Sequence, residues 1–321
     1  MIFYIARRLV WTIVVVFCVI GITYIVFYKL PAGNPALRFA GHSPTQQEIT
    51  EIEHRLGLDK PWYVQFGKFA YHFFAGDQYG WPGLGYTFAS GASVKSLVFS
   101  RAPRTLLLIA GAAILWLLSG VAIGVISAVR RRSLTDRFAM GFALFGISTP
   151  VFWLGLMMLY IFWSRLGWTA GTGYVSPASS VGGFFSHMIL PWITLALLYA
   201  AFYARMTRNN LLETLGEDYI RTARAKGLSE RRVIFKHGLR ASLTPIVTMF
   251  GMDIALLVGG AVITESVFNL QGLGYLAINS ATNQDLPIVA GVVLLAAVAV
   301  ALANLVVDIL YAFIDPRVRY A

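Results

Sequence analysis

Few residues in this chain are of types that could do chemistry. Three acids, Asp253, Glu265 and Asp308, interrupt apolar stretches. Acids in such places are costly and are held there by a partner or by function. Asp253 is the most deeply placed. It could meet an amine, a proton or a structural partner on another helix, and the structural pair is the favoured reading. Glu265 and Asp308 stand near the ends of their apolar runs, where snorkelling or helix packing suffices. Asn304 and Thr149 suit helix–helix hydrogen bonds. The five histidines (His42, His54, His72, His187, His237) have no short metal-ligand spacing. The single cysteine, Cys18, lies in an apolar run, so neither an internal disulfide nor a cysteine metal site can form. No Gly-rich loop ends in Gly-Lys-Ser/Thr, and neither a nucleophile elbow nor His-Glu-x-x-His is present. The expectation is a chain with no catalytic residue, metal or cofactor of its own.

The other departure from apolarity is residues 205–240, with nine Lys/Arg against four Asp/Glu. Asp218 is a good helix N-cap and Gly227 a good stop, which predicts about two turns over Tyr219–Lys226. Ile220, Ala223 and Gly227 share one face, and Arg221 and Arg224 another. Ser229 can cap a second helix, with Glu230 in its first turn. On that helix Arg232, Lys236 and Arg240 recur every fourth residue, a stripe suited to anionic headgroups. So short a helix is marginal alone. Ala223, Ala225 and Gly227 are small enough to let a partner surface approach. A docking helix and an ordinary solvated loop whose charge merely satisfies topology explain this pattern equally well.

These residues must be carried by membrane helices. The chain has 321 residues, 57% hydrophobic and 13% charged, with a mean hydropathy of +0.67. Soluble domains average about 25% charged residues. The net charge of +11 follows from basic residues in loops on one side of a membrane and does not call for nucleic acid. Apolar runs at about residues 9–28, 105–129, 138–163, 187–206, 243–268 and 287–311 predict six transmembrane helices. Ser148-Thr-Pro150 should kink the third. The first run is too long for a signal-peptide core and is read as retained. Counting over this topology gives 17 Lys/Arg inside and nine outside, and eight of those nine fall between Lys29 and Arg104. Both termini are thus expected in the cytoplasm. The organisation read is helix 1 over residues 1–30, an external cap over 31–103, and a helical core over 104–321 that includes the polar segment. In the cap, Pro31-Ala-Gly-Asn-Pro35 ends helix 1. Short helices are expected from Ser43-Pro44 to Gly57 and over Trp62–Phe74. The aromatic, Gly-rich stretch 76–91 reads as a loop at the headgroup level or a binding lip.

Asp218-Tyr-Ile-Arg-Thr-Ala-Arg-Ala-Lys-Gly-Leu-Ser229 closely resembles the EAA loop of ABC importer permeases, in the form found in the dipeptide/oligopeptide/nickel family. Ala6-Arg-Arg-Leu9 and Pro31-Ala-Gly-Asn-Pro35 look like that family's opening. Leu56-Gly-Leu-Asp-Lys-Pro61 with Val64-Gln-Phe66 looks like its cap, Thr264-Glu-Ser-Val-Phe268 with Gly272-Leu-Gly274 like its fifth-helix ending, and Asp315-Pro-Arg317 like its tail. The resemblance covers nearly the whole chain, and the long cap resembles the B-type subunit. Arg221, Thr222 and Ala223 stand where the general pattern has an acid and two alanines, as in the peptide subgroup.

The resemblance implies an all-α integral protein of a bacterial inner or plasma membrane. It implies a second, similar permease subunit, two ATPase subunits or domains that carry ATP and Mg, and an extracytoplasmic binding protein delivering peptide. Asp218, Tyr219, Arg221, Ala223, Arg224, Lys226, Gly227 and Ser229 would couple to the ATPases and drive alternating access. Nickel chelates, glutathione and oligosaccharides are cargoes of related systems. A secondary transporter driven by ions or protons is the alternative from another class; it predicts buried acid chains and internal repeats. A membrane enzyme would need a polar catalytic constellation.

Overall fold

The computed structural model describes residues 2–30, 45–56, 58–87 and 90–314, with side chains described except at 2–5, 52, 55–56 and 307–314. The expected helix stop at 31–35, the Ser43-Pro44 start, the Gly57 stop and the tail from Asp315 lie outside these residues. Among the described residues the chain is helical, with no β-strand and only two isolated bridges, Asp77 to Gly80 and Tyr86 to Ser93.

Helix α1 (Ile2–Tyr24) runs on as a π-helical turn to Lys29. The cap holds α2 (Gln46–Leu56) and α3 (Trp62–Ala75). Thr45 opens α2 with a reciprocal capping box: its hydroxyl accepts from Glu48 N, and Glu48 Oε2 accepts from Thr45 N at 2.8 Å. The long helix α4 (Val94–Val129) follows, then α5 (Leu134–Ser148), α6 (Val151–Met158, continuing as a π-helix to Arg165) and α7 (Val181–Thr214). The polar segment gives α8 (Asp218–Ala225) and α9 (Glu230–Arg232), and a π-helical stretch Val233–Gly238 joins α9 to α10 (Leu239–Val258). Two short helices, α11 (Val262–Val267) and α12 (Leu273–Thr282), precede α13 (Leu286–Ile314).

Among the described residues five helices are long and apolar enough to cross a membrane: Ala6–Lys29, Val94–Val129, Val181–Thr214, Glu230–Val258 and Leu286–Val306. The expected third span is broken. α5 and α6 meet at an angle of 105° and make a sixth crossing only if the pair is one span. Pro150 has no N–H to continue the helix, and Thr149 before it is extended, at φ −87° and ψ 125°. The Thr149 hydroxyl turns back to Phe145 O at 2.7 Å, within its own helix rather than across to another. Asn304, also expected in a helix–helix bond, is exposed.

Three more expectations are corrected. α4 begins at Val94, so the boundary expected at 103–104 falls inside a helix that accommodates Pro103. At 1.5 Å per residue its 36 residues reach about 54 Å, well beyond about 30 Å of hydrocarbon. The fifth span starts at Glu230 rather than near 243, so the expected basic, membrane-hugging helix is its first part. Arg232, Lys236 and Arg240 are all exposed on it. That span ends at Val258, and Glu265 lies beyond it on α11.

The main core forms between α4, α7 and α10, around fully buried Leu108, Trp116, Met188, Tyr203 and Ile246. Its seam depends on small residues. A Cβ on Gly120 would lie 2.6 Å from Tyr203 Cβ and 3.0 Å from Ala200 O; on Gly124 it would lie 2.5 Å from Thr207 Cβ and 2.6 Å from Ala204 O. Gly120 and Gly124 on one helix thus meet Ala200 and Ala204 on the other, the small-residue spacing by which membrane helices approach. A second core ties the cap to the bundle through Ile20, Phe73, Leu84, Val94, Leu273 and Ile288. Within the 76–91 stretch, Asp77 accepts from Tyr79 N at 2.7 Å and Gly85 N at 2.9 Å, which fixes the turn that delivers Leu84 inward.

Gly124→Leu inserts a branched side chain where even a methyl has no room. It should lower stability by about 3 kcal/mol or more, read as a lower thermal midpoint of the purified protein in detergent. Gly141→Ala, where a Cβ meets nothing within 4 Å, should leave the midpoint in place.

Candidate functional site

The sequence-predicted site is α8 and its flanks. The helix starts one residue earlier than expected: Glu217 is the N-cap, without a side-chain cap bond, and Asp218 is the first helical residue. Asp218 instead accepts from Arg221 Nη1 at 3.2 Å, and both side chains are open to solvent. Ile220 and Ala223 form the inner face, buried against Val233 with Leu215 and Leu228 alongside. Ala223 therefore packs on its own chain and does not offer a small surface to a partner. Gly227 has φ +76°, and a Cβ there would meet nothing within 4 Å. Its role is the left-handed turn, with Leu228 N bonding Ala223 O, rather than close approach. Ser229 does sit at the next N-cap, through its backbone: Val233 N bonds Ser229 O at 3.0 Å, and its side chain makes no cap bond. Arg224 reaches over the turn to Glu230 with Nη2 at 2.7 Å and Nε at 3.1 Å, and this bond to the carboxylate holds its guanidinium pKa above the ordinary value. Tyr219, Arg221, Lys226 and Gly227 are left exposed.

A buried ion pair anchors this end of the bundle. Arg208, near the end of α7, meets Asp136 in the first turn of α5 with Nε–Oδ1 at 2.7 Å and Nη2–Oδ2 at 2.9 Å. The Ser127 hydroxyl and Arg132 N also donate to that carboxylate. Asp136 is 6% exposed at its side chain and Arg208 20%. The fork-to-fork geometry and two further donors are what a buried pair needs to offset its desolvation. Nothing in the sequence pairs Asp136 with Arg208; the available signal is a lone acid close behind the basic triplet Arg130–Arg132.

Asp253, in the last two turns of α10, accepts from Tyr203 Oη at 2.6 Å. Tyr203 is fully buried on α7. The acid thus has a partner on another helix, as favoured from sequence. Around it Trp116 stacks on Tyr199, with ring centroids 4.6 Å apart.

At the cap end Glu265 is fully buried. Its Oε1 accepts from the Thr105 hydroxyl at 2.6 Å and its Oε2 from Tyr275 N at 2.9 Å, while Thr105 Oγ1 accepts from Leu273 N at 2.8 Å. Glu265 therefore caps the start of α12 from outside the helix and pins it to α4. A Cβ on Gly272 would collide with both Thr105 and Glu265, and one on Gly274 with Val262. Burial pushes the Glu265 carboxyl pKa up, against the hydrogen bonds from Thr105 and from Tyr275 and Gly274 N–H that pull it down. Snorkelling is excluded for this residue. The side chain of Asp308 lies outside those described. Among the described residues no group of three or more His, Cys, Asp or Glu could hold a metal ion.

The chain belongs to the family described as binding-protein-dependent transport system inner membrane component, matched over residues 120–320, with that family's N-terminal membrane component matched over 1–109. It is a permease subunit of an ABC importer. It is 39% identical over 317 residues to the probable peptide ABC transporter permease protein y4tP of Sinorhizobium fredii, covering 99% of both chains. It is 39% and 38% identical, with the same coverage, to the glutathione transport system permease protein GsiC of Salmonella typhimurium and of Escherichia coli K12. Its fold matches the inward-facing MetNI methionine ABC transporter with a TM-score of 0.55 at 20% identity, over 69% of this chain and 97% of that one.

Asp136→Asn should strand the Arg208 charge and cost about 3 kcal/mol, the low end for a broken buried pair because Arg208 keeps some solvent contact; chemical unfolding in micelles would measure it. Glu265→Gln should be nearly neutral at low pH. Because burial raises the wild-type pKa above its ordinary 4.5, the stability this group contributes is full below 4.5 and is lost as pH rises through the raised value. Thermal midpoints across that range should fall more steeply for wild type than for Glu265→Gln.

Proposed function

We propose that this subunit carries short peptides inward, paired with a second, similar permease and driven by two ATPase subunits that dock on α8. The observation that carries the coupling role is the split of α8 into an anchored face and a free one. Ile220 and Ala223 fix it to the chain's own body, and Tyr219, Arg221, Thr222, Ala225 and Lys226 project outward. A partner pressing on this helix moves the π-helical joint and the span from Glu230 to Val258 behind it. ATP and Mg reside on the ATPases, and an extracytoplasmic binding protein supplies the cargo. Alternating access is the mechanism this linkage serves. The basic loops at the α8 end support placing that end, and both termini, in the cytoplasm. The full-length similarity to y4tP and GsiC supports peptide cargo, glutathione included. Asp253, bonded to Tyr203 yet only half-buried, is the pathway group through which a peptide ammonium could be met.

The test is ATP-dependent uptake by proteoliposomes containing the full complex and its binding protein. Radiolabelled tripeptide should accumulate, and the charge reversals Arg221→Glu and Lys226→Glu together should weaken association with the ATPase subunits about tenfold or more, about 1.4 kcal/mol. Unaltered association and unaltered uptake in that double variant would dismiss α8 as the docking element. Uptake of other solutes but no peptide would dismiss the cargo.

A further inference from the structure

At the cap end of α4, Arg101 and Arg104 lie one turn apart on the face that turns toward the protein. Val98, Thr105 and Leu108 on that face are buried, while Phe99 and Leu106, around the helix, are exposed. The two guanidiniums therefore do not point where lipid would be. Both reach under the loop between α11 and α12. Arg101 Nη1 lies 3.4 Å from Gln271 O; Arg104 Nη1 lies 3.4 Å from Leu270 O and Gln271 O and 3.3 Å from Gln271 Oε1. The Arg104 guanidinium also sits 5.2 Å above the Tyr174 ring.

These contacts hold the arginines loosely. All are longer than the usual 2.7–3.2 Å, all go to neutral acceptors, and each guanidinium has five N–H donors. Among the described residues neither arginine is in an ion pair. Glu265, bonded to Thr105 next to Arg104 in the chain, already spends its oxygens on Thr105 and the start of α12. Two like charges a turn apart, half-buried and with no ion-pair partner among the described residues, are unfavourable unless something anionic arrives. Topology does not ask for them either, because this end carries positive charge against the usual bias.

We propose that Arg101 and Arg104 form a carboxylate-binding site at the mouth of the pathway, taking the C-terminal carboxylate of a peptide as it leaves the binding protein. Paired forks suit a planar carboxylate through parallel N–H donors. Two guanidiniums a single helical turn apart beside the Gln271 loop match one small anionic group better than the broad acidic surface of a docking protein. Arg104 also contacts Leu270 and Gln271, which lead directly into the Glu265-capped start of α12. The proposal rests on the peptide reading above.

The experiment compares uptake of tri-alanine and its C-terminal amide by the reconstituted complex, each expressed per peptide-loaded binding protein. The wild type should favour the free acid. The acid-to-amide ratio should fall about tenfold in Arg101→Gln/Arg104→Gln, as expected for loss of charge-assisted hydrogen bonds, and recover in part in Arg101→Lys/Arg104→Lys. An unchanged ratio overturns the site. So does a double variant whose main defect is weaker binding of the ligand-free binding protein, which would make the arginines part of a protein–protein contact. If the variants do not assemble, phenylglyoxal labelling of wild-type Arg101 and Arg104 should be slowed by tri-alanine and not by its amide; equal labelling overturns the site. No uptake of either peptide by the wild type overturns the peptide reading and this site with it, whereas equal uptake of both overturns the arginine site alone.

Discussion

The close approach of α4 and α7 sets the rest of the architecture. Gly120 and Gly124 leave no space for a side chain against Ala200, Tyr203, Ala204 and Thr207. In a bilayer the lipid tails are as apolar as the core, so fit and polar contacts decide which helices pair. Once this seam closes, other groups fall within reach of each other. Trp192 on α7 covers Gly111 and donates Nε1–H to Leu107 O at 3.0 Å. Tyr203 turns toward Asp253, and one helical turn past Ala204, Arg208 arrives at Asp136. The seam is thus the ruler from which the polar contacts of the bundle are measured.

Those polar contacts sit at three heights and link different elements. Arg208–Asp136 ties α7 to α5 at the α8 end, Tyr203–Asp253 ties α7 to α10 in the middle, and Thr105–Glu265 ties α4 to α11 and α12 at the cap end. Each places a charged or polar group where its partner is worth most, because little water competes. Among the described residues α10 is tied to another helix by one side-chain hydrogen bond, Asp253 to Tyr203, and otherwise by apolar packing, while α7 has polar ties at both Tyr203 and Arg208. α10 is the span directly behind α8.

Much of this was legible in the sequence, and what was not has physical causes. Apolar run length located the spans because hydrocarbon thickness imposes it. Pro150 announced a break, but nothing local to Ser148-Thr-Pro150 encodes 105°; that angle comes from what α5 and α6 pack against. The ends of α4 and α7 were placed too short because hydropathy marks where lipid stops, not where a helix stops. Ile220 and Ala223 were assigned correctly to one face, yet the direction of that face depended on Val233, which follows the Gly227 turn. Glu265 was read as a span-end acid because its partners, Thr105 and Tyr275, are a tertiary matter on both sides of the sequence. In the sequence Arg101 and Arg104 are only charges between two spans; that they meet neutral acceptors and no acid among the described residues is a tertiary matter.

The π-helical stretch Val233–Gly238 gives the path from α8 to α10 a phase as well as a length. A wide turn holds one more residue than an α-helical turn would, which rotates everything beyond it by about 100° relative to an uninterrupted helix. Val233, its first residue, faces the anchored side of α8; Ile246, after it, faces the core beside Trp116. Removing one residue from this stretch would restore regular winding and keep composition, charge and hydropathy almost unchanged. The two faces would then no longer point inward together. In this segment, chain length to the single residue is a constraint as strict as residue identity, and one to which substitution experiments are blind.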